Sequence, residues 1–465
     1  MNWTVRDIIE ATGGELVSGN PEQPPFTGIN TDTRTLKAGE LFCALKGPRF
    51  DGHAFLHEAC QKGAGGVLVS SVSPQLQQQG YCQIRVKDTL AALGELARYH
   101  RRRLPVTVVG ITGSNGKTST KEMTAHVLAR AYPVLKSPAN HNNLIGLPLT
   151  LLQLEPHHRV AVVELGTNMP GEMARLAQIA GADIGVLTNI HPTHLAFLGS
   201  VQQVRAEKGK LLESLDEQGA AVLNGDDEAV RSLASRVRGR VVTFGLSPQN
   251  DIRGEAVRVQ GCRGISFQLV LAGEKATIRL PVLGTHNVYN ALAAASVASL
   301  LGLDLSRIRE GLQHYTGIPK RLELFHLADE VQVLNDSYNA NPASLRAAIA
   351  TLATLPKRGK HILVVGDMLE LGEAGKRLHQ EIGQELPSST VDHLITVGPL
   401  AAWIAQGARE AGMPSPQIAV CTDQEEAWQR LVAWLGQGDT VLIKGSRGMQ
   451  MWQITERLLA RQRDL

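Results

Sequence analysis

Residues 110–118 read Gly-Ile-Thr-Gly-Ser-Asn-Gly-Lys-Thr, directly after the β-branched run Val106-Thr107-Val108-Val109 and ahead of a helical stretch beginning at Ser119. Strand, glycine-rich turn and helix in that order make a phosphate-binding loop. Glycines let backbone N–H groups turn toward phosphate oxygens, the lysine reaches the terminal phosphates, and the hydroxyl meets Mg²⁺. Gly113, Gly116, Lys117 and Thr118 supply these groups, with Thr112, Ser114 and Asn115 in the same turn. The strict pattern asks for glycine where this chain has Ile111. A chance glycine-rich turn is the alternative, but the intact Gly-Lys-Thr in its strand–loop–helix setting favours nucleotide binding.

Two further groups fall at the ends of predicted strands. The run Arg159–Val163 ends at Glu164, and a parallel sheet sets such an acid beside the phosphate loop at its carboxyl edge. Glu164 reads either as a Mg²⁺ ligand or as a solvated strand-end acid. The run Ile184–Ile190 leads into His191-Pro192-Thr193-His194, whose histidines read either as ligands or as surface residues. Farther on, Arg205-Ala206-Glu207-Lys208-Gly209-Lys210 has the pattern of a solvated helical face.

The elements that position these groups alternate from end to end. Short β-rich runs and helical stretches follow one another, the pattern of an α/β protein with largely parallel sheets. The first segment predicts strands at 41–45, 66–69 and 83–86, with a helix over 53–62 between the first two. A helix from Thr89 ends in Arg101-Arg102-Arg103, and Leu104-Pro105 stops it and restarts the chain as a strand. The last third predicts strands at 331–334, 361–365, 393–397 and 440–443, a doubly wound pattern, preceded by the break Tyr315-Thr316-Gly317-Ile318-Pro319-Lys320. Three domains are expected: 1–100, 101–318 and 319–465.

Composition narrows the classes. A chain of 465 residues is longer than one hydrophobic core supports, and 43% hydrophobic with 20% charged residues is the balance of an ordered globular protein. A net charge of +3 and 4% aromatics argue against nucleic acid as a partner. The most apolar run, Ala291–Leu303, is too short and too broken by Ser296 and Ser299 to span a membrane. Arg6 and Asp7 precede any apolar stretch, so no secretory leader is expected and the cytoplasm is the expected compartment. The five cysteines, Cys43, Cys60, Cys82, Cys262 and Cys421, form no CxxC pair, against both a disulfide framework and a zinc site.

Taken together these residues resemble the Mur ligase family, in its MurF type, over nearly the whole chain. The loop is similar to that family's T-G-x-x-G-K-T form, which accounts for Ile111. The resemblance implies an N-terminal UDP-binding α/β domain, a central P-loop ATPase domain and a C-terminal Rossmann-like domain. It implies that Glu164, with Thr118, holds a metal, that His194 holds a second, and that Lys208 is carbamylated and serves that second ion. Lys117, Glu164, His194 and Lys208 would then be the catalytic set. Thr31, Thr33, Arg34, Lys46 and Gly47, in the stretches Thr31–Arg34 and Leu45–Asp51, would take the UDP end of the substrate. Asn140, Asn143 and Thr167 would meet its peptide; the Asn cluster also reads as a turn. Asn287 and Asn290 would lie on the adenine side, although an Asn-rich helix start is also an ordinary cap. Arg321, Asp336, Tyr338 and Asn339 would lie against ATP, and Asp367, Lys444, Ser446 and Arg447 would face the amine substrate. After His194, the residues Leu195–Ser200 depart from the family's acidic form.

The activity implied is ATP-dependent ligation of D-Ala-D-Ala to UDP-N-acetylmuramoyl-tripeptide through an acyl phosphate, with two Mg²⁺ ions, by a monomeric enzyme. Rival expectations are a related ligase that adds a single amino acid and a P-loop module that binds nucleotide without ligation.

Overall fold

The structure is a computed structural model that describes residues 2–47 and 50–463. Pro48 and Arg49, part of the stretch Leu45–Asp51 singled out above, lie outside the described residues. Three sheets follow one another along the chain. The N-terminal sheet has the strand order Glu15–Ser18, Gln83–Arg85, Gly66–Val69, Leu41–Cys43, Ile29–Asn30, parallel except for the first pair. The helix Thr89–Arg102, capped by Asp88, leaves this sheet. Its Leu93 and Leu96 pack into the first core and its Ala97 into the next, beside Val106 and Val108.

The central sheet has nine strands. Its parallel part runs Arg240–Gly245, Ala220–Asn224, Ile184–Leu187, Thr107–Thr112, Val160–Glu164, Val134–Lys136. The strand Ile252–Val259 adds on in parallel beside Arg240–Gly245, and Ile265–Leu271 and Glu274–Leu280 extend it as antiparallel hairpins. The middle strands, Val/Ile-rich and buried on both faces, carry no alternation, as parallel strands covered by helices require. One covering helix, His286–Leu300, is small and apolar on nearly every side, with eleven buried residues from Asn287 to Ala298, and packs on the helix Lys117–Leu128 through Met123, Val127, Ala291 and Ala294. The latter helix starts at Lys117, ahead of the Ser119 expected from sequence, and the strand from Ile184 ends at Leu187, short of the expected Ile190.

The C-terminal sheet has the order Glu323–His326, Gln332–Asp336, Thr440–Lys444, His361–Gly366, His393–Val397, Ile418–Cys421, parallel after the first pair. Two of its helices, Gly375–Glu385 and Ala402–Glu410, touch through glycine: a Cβ on Gly407 would lie 2.2 Å from the Gln380 carbonyl oxygen. Both large sheets thus gather loops at the carboxyl ends of parallel strands, where open α/β folds bind ligands.

Candidate active site

The phosphate loop springs from the strand Thr107–Thr112. Ile111, where the strict motif has glycine, is a fully buried strand residue paired with Glu164 on one side and Val186 on the other. The turn itself needs its glycines. Gly113 has φ +149°, and a Cβ there would lie 1.9 Å from Thr188 Oγ1; Gly116 has φ +79°, and its Cβ would meet Asn290 Oδ1 at 2.6 Å. The neighbouring strand end pins the loop. Ser114 N–H donates to the Asn189 carbonyl (2.9 Å), Asn115 N–H to Asn189 Oδ1 (2.8 Å), and Thr188 Oγ1 to the Asn115 carbonyl (2.6 Å). Lys117 Nζ donates to the carbonyls of Gly113 (2.9 Å) and Ser114 (3.2 Å).

Below the loop, Thr118 Oγ1 donates to Glu164 Oε2 at 2.8 Å, and Asn142 Nδ2 donates to Glu164 Oε1 at 2.8 Å. Arg321 Nη2 reaches across from the third sheet to Thr118 Oγ1 (3.0 Å), its guanidinium stacked 4.3 Å over the Tyr338 ring. Asn341 Nδ2 donates to Asn115 Oδ1 at 2.6 Å, and His194 Nδ1 lies 2.6 Å from Glu370 Oε2. These contacts bound an open cleft of about 1250 Å³. The central domain lines it with Ser114–Thr118, Asn140, Glu164, Thr167 and His194 among others, and the C-terminal domain with Asp336, Tyr338, Asn339, Glu370, Ser446 and Arg447.

The sequence patterns of three domains match this chain: "Mur ligase family, catalytic domain" over residues 25–101, "Mur ligase middle domain" over 111–298, and "Mur ligase, glutamate ligase domain" over 320–447. The UDP-N-acetylmuramoyl-tripeptide–D-alanyl-D-alanine ligase of Bacillus subtilis strain 168 is 36% identical over 456 residues, covering 98% of each chain. The chain belongs to the Mur ligase family. A crystal structure of MurF from Acinetobacter baumannii superposes with TM-score 0.91 at 30% identity over 99% of both chains. The MurF ligase of Thermotoga maritima in complex with ADP superposes with TM-score 0.82 at 28% identity, over 93% of this chain and 98% of that one. The three-domain α/β architecture and the use of ATP follow from this kinship.

In this Mur ligase the charge run Arg205–Lys210 is not the solvated face its pattern suggested. It is helical, within Val201–Glu213, but Glu207 is 8% and Lys208 1% exposed. The reason lies in tertiary packing. Glu207 caps the helix Glu172–Ala180, accepting from Gly171 N–H (3.0 Å) and Met173 N–H (2.8 Å). Lys208 has no such partner among the described residues. Burial pushes its pKa well below the usual lysine range, the nearby Lys117 ammonium adds to the fall, and Glu207 and Glu164 oppose it. Lys117 is lowered by burial too, with Glu164 opposing.

Of the other anticipated residues, some stand apart from the cleft and some line it while already bonded within the protein. Thr31, Thr33, Arg34, Lys46 and Gly47 lie in the N-terminal domain and are not among its lining. Arg34 is exposed and grips Asp32 through Nε (2.9 Å) and Nη2 (2.6 Å), a contact that holds the Asp32 carboxyl down at about 2. Asn287 and Asn290 sit under the loop, bonded to each other (2.8 Å); Asn287 also donates to the Leu283 carbonyl (2.7 Å), and Asn290 accepts from Thr120 (3.1 Å). Asn143 Oδ1 receives Gly146 N–H at 2.8 Å, and Thr167 is 2% exposed and donates to the Met169 carbonyl. Asp367 is 3% exposed; burial raises its pKa, and its carboxylate accepts Ala401 N–H at 2.6 Å. Lys444 is buried in an ion pair with Asp336 at 2.5 Å. Ser446 Oγ receives Leu369 N–H at 2.8 Å. Thr112 is fully buried in the strand that leads into the loop. Asn142, Asn341 and Glu370 were not among the residues expected at the site, although each lies in a stretch that resembles the family, beside Asn143, Asn339 and Asp367; Glu370 and Asn341 meet their partners only through the approach of two domains.

No group of three His, Cys, Asp or Glu side chains poised for a metal occurs among the described residues. Thr118 and Glu164 nevertheless fit Mg²⁺, which binds through one or two protein oxygens and completes its shell with water and substrate phosphates. The buried, neutral-leaning amine of Lys208 fits carbamylation, since only the unprotonated amine attacks CO₂.

Proposed function

We propose that this Mur ligase joins D-Ala-D-Ala to the terminal carboxylate of UDP-N-acetylmuramoyl-tripeptide at the expense of ATP, making the pentapeptide precursor of peptidoglycan. The observation that carries the reading is the facing of a phosphate loop, with its Thr118–Glu164 pair, and the carboxyl edge of a second parallel sheet across one cleft. Residues 1–100 hold the UDP end, 101–318 the ATP, and 319–465 the dipeptide. Thr33, Arg34 and Lys46 take the diphosphate; Asn140, Asn143 and Thr167 take the peptide; Ser446 and Arg447 take the dipeptide, with Asp367 and Lys444 behind them.

The acceptor carboxylate attacks the γ-phosphorus and ADP leaves. The dipeptide amine then attacks the acyl carbonyl, losing a proton as phosphate departs. Lys117 turns from its loop carbonyls to the terminal phosphates, and Arg321, fixed by Tyr338, adds a second positive charge beside Thr118. Such preorganised charge carries most of phosphoryl-transfer catalysis. Thr118 and Glu164 would hold one Mg²⁺, and His194 with a carbamylated Lys208 would hold a second; such ions would supply charge neutralisation to the transferring phosphate. Closure of the C-terminal domain about Tyr315–Lys320 keeps water from the acyl phosphate. The enzyme works as a monomer in the cytoplasm; no helix among the described residues is long and apolar enough to cross a membrane.

The test is an amine-competition assay. D-Ala-D-Ala, diaminopimelate and glutamate are offered together with each UDP-linked acceptor, and products are resolved by mass. Exclusive incorporation of the dipeptide onto a tripeptide acceptor is expected. Incorporation of a single amino acid would overturn the assignment, and phosphate release without an acceptor would favour a nucleotide-binding module.

A further inference from the structure

Lys121 lies one turn beyond Lys117 and Thr118 on the phosphate-loop helix, and it is fully buried. Burying a lysine is costly unless every donor is met, so its presence calls for a reason. Three oxygens meet it: Nζ donates to the carbonyls of Ser137 (2.6 Å) and Ala139 (3.2 Å), and Glu122 Oε1 lies at 2.8 Å. Two of the three belong to one short segment. That segment runs on to the site: Ser137 Oγ receives Glu164 N–H (3.2 Å), Gly166 N–H donates to the Asn142 carbonyl (2.8 Å), and Asn142 Nδ2 holds Glu164 Oε1. Asn140, Asn142 and Asn143 line the cleft. Between the two anchored carbonyls the chain is forced, with Ala139 in the left-handed region at φ +43°.

We infer that Lys121 is a positioning residue, through which the phosphate-loop helix fixes the segment Ser137–Asn143 and so sets the acceptor carboxylate against the γ-phosphate. The inference rests on the proposed contact of Asn140 and Asn143 with the acceptor. Loop and segment share one rigid pin, so a phosphate bound on the helix and an acceptor bound on the segment keep a fixed separation. A misplacement of about 1 Å between reacting groups costs on the order of 10²-fold in rate.

Two variants test it from opposite sides. Lys121→Met removes the donors while keeping the shape, and Ala139→Gly loosens the segment while relieving a left-handed alanine. Lys121→Met should lower kcat/KM for the UDP acceptor by about 10²-fold, partly through a higher acceptor KM, with the Kd of a non-hydrolysable ATP analogue within about twofold of wild type. Ala139→Gly should raise the acceptor KM several-fold with an unfolding temperature equal to or above that of wild type, so the answer does not depend on Lys121→Met folding well. An unchanged acceptor KM in both variants, or an equal loss of ATP-analogue affinity in Lys121→Met, overturns the inference. Asn140→Ala and Asn143→Ala separate the two readings. If they leave the acceptor KM unchanged, the segment is no acceptor contact and the inference falls with it; if they raise it while the other two variants do not, only the role of Lys121 falls.

Discussion

Replacing Lys208 by methionine should remove activity and stabilise the central domain in the same stroke. The side chain is 1% exposed, and no carboxylate among the described residues pairs with it. Burial holds the folded pKa of this lysine well below 10.5, so the folded domain favours the neutral amine over the ammonium more than the unfolded chain does. Between the folded value and 10.5 the unfolded chain binds one more proton at this site than the folded chain. Stability therefore rises with pH across that window, by about 1.4 kcal/mol per unit, and is flat below the folded value. Methionine, of similar length and apolar, has no such dependence. Under CO₂-depleted conditions Lys208→Met should be more stable than wild type at neutral pH, with an advantage that shrinks by about 1.4 kcal/mol for each unit of pH above the folded pKa. Because three domains need not unfold together, the measurement should be local. Hydrogen exchange of the central-strand amides, read by mass spectrometry as a wild-type to variant difference at each pH, isolates the domain and cancels the intrinsic exchange rates. A difference that stays constant between pH 7 and pH 10, or a variant less stable throughout, would refute the burial argument.

Three more outcomes are expected. Lys117→Ala should lower ligase turnover by roughly 10²- to 10³-fold with the fold intact, as removal of one preorganised charge does; steady-state phosphate release within a few-fold of wild type would count against the loop assignment. Arg34→Ala should raise the KM for the UDP acceptor and leave the KM for ATP alone, because Arg34 is exposed and, among the described residues, its side chain is bonded only to Asp32; an unchanged acceptor KM would leave it no part in binding. Asp367→Asn should impair the dipeptide KM more than the ATP KM, since its carboxylate receives the Ala401 N–H at the end of the strand His361–Gly366; equal effects on both would argue against a dipeptide site there.

How much of this was legible in sequence depended on whether the signal was local. The phosphate loop was readable because its glycines, lysine and threonine are adjacent and their strand is apolar throughout. The strands Gly66–Val69, His361–Gly366 and His393–Val397 announce themselves as Val/Ile/Leu runs for the same reason. The strands Ile252–Val259, Ile265–Leu271 and Glu274–Leu280 form no such run, because one solvent-facing side carries Arg253, Glu255, Arg258, Lys275 and Arg279 and apolar residues mostly alternate with polar ones. Lys208 shows the limit from the other direction. A helical charge run is normally exposed, and nothing in its spacing says that one glutamate will turn to cap a neighbouring helix and draw the next lysine inside. The pairings of Glu370 and Asn341 were beyond reach, since their partners His194 and Asn115 lie 176 and 226 residues away.

The bonds that cross the mouth of the cleft, Asn341 to Asn115, Arg321 to Thr118 and Glu370 to His194, join polar side chains that water solvates nearly as well when they part. Such a seam gives the closed arrangement little intrinsic preference, so its population is set by what spans the gap. A ligand touching only one wall binds open and closed forms alike and shifts nothing, whereas one touching both draws the equilibrium by the difference in its two affinities. Selective blockers of this enzyme should therefore be sought among molecules that bridge the phosphate loop and the Ser446–Arg447 rim. Their apparent affinity should improve when a mutation holds the walls together, while fragments confined to either side should not notice it.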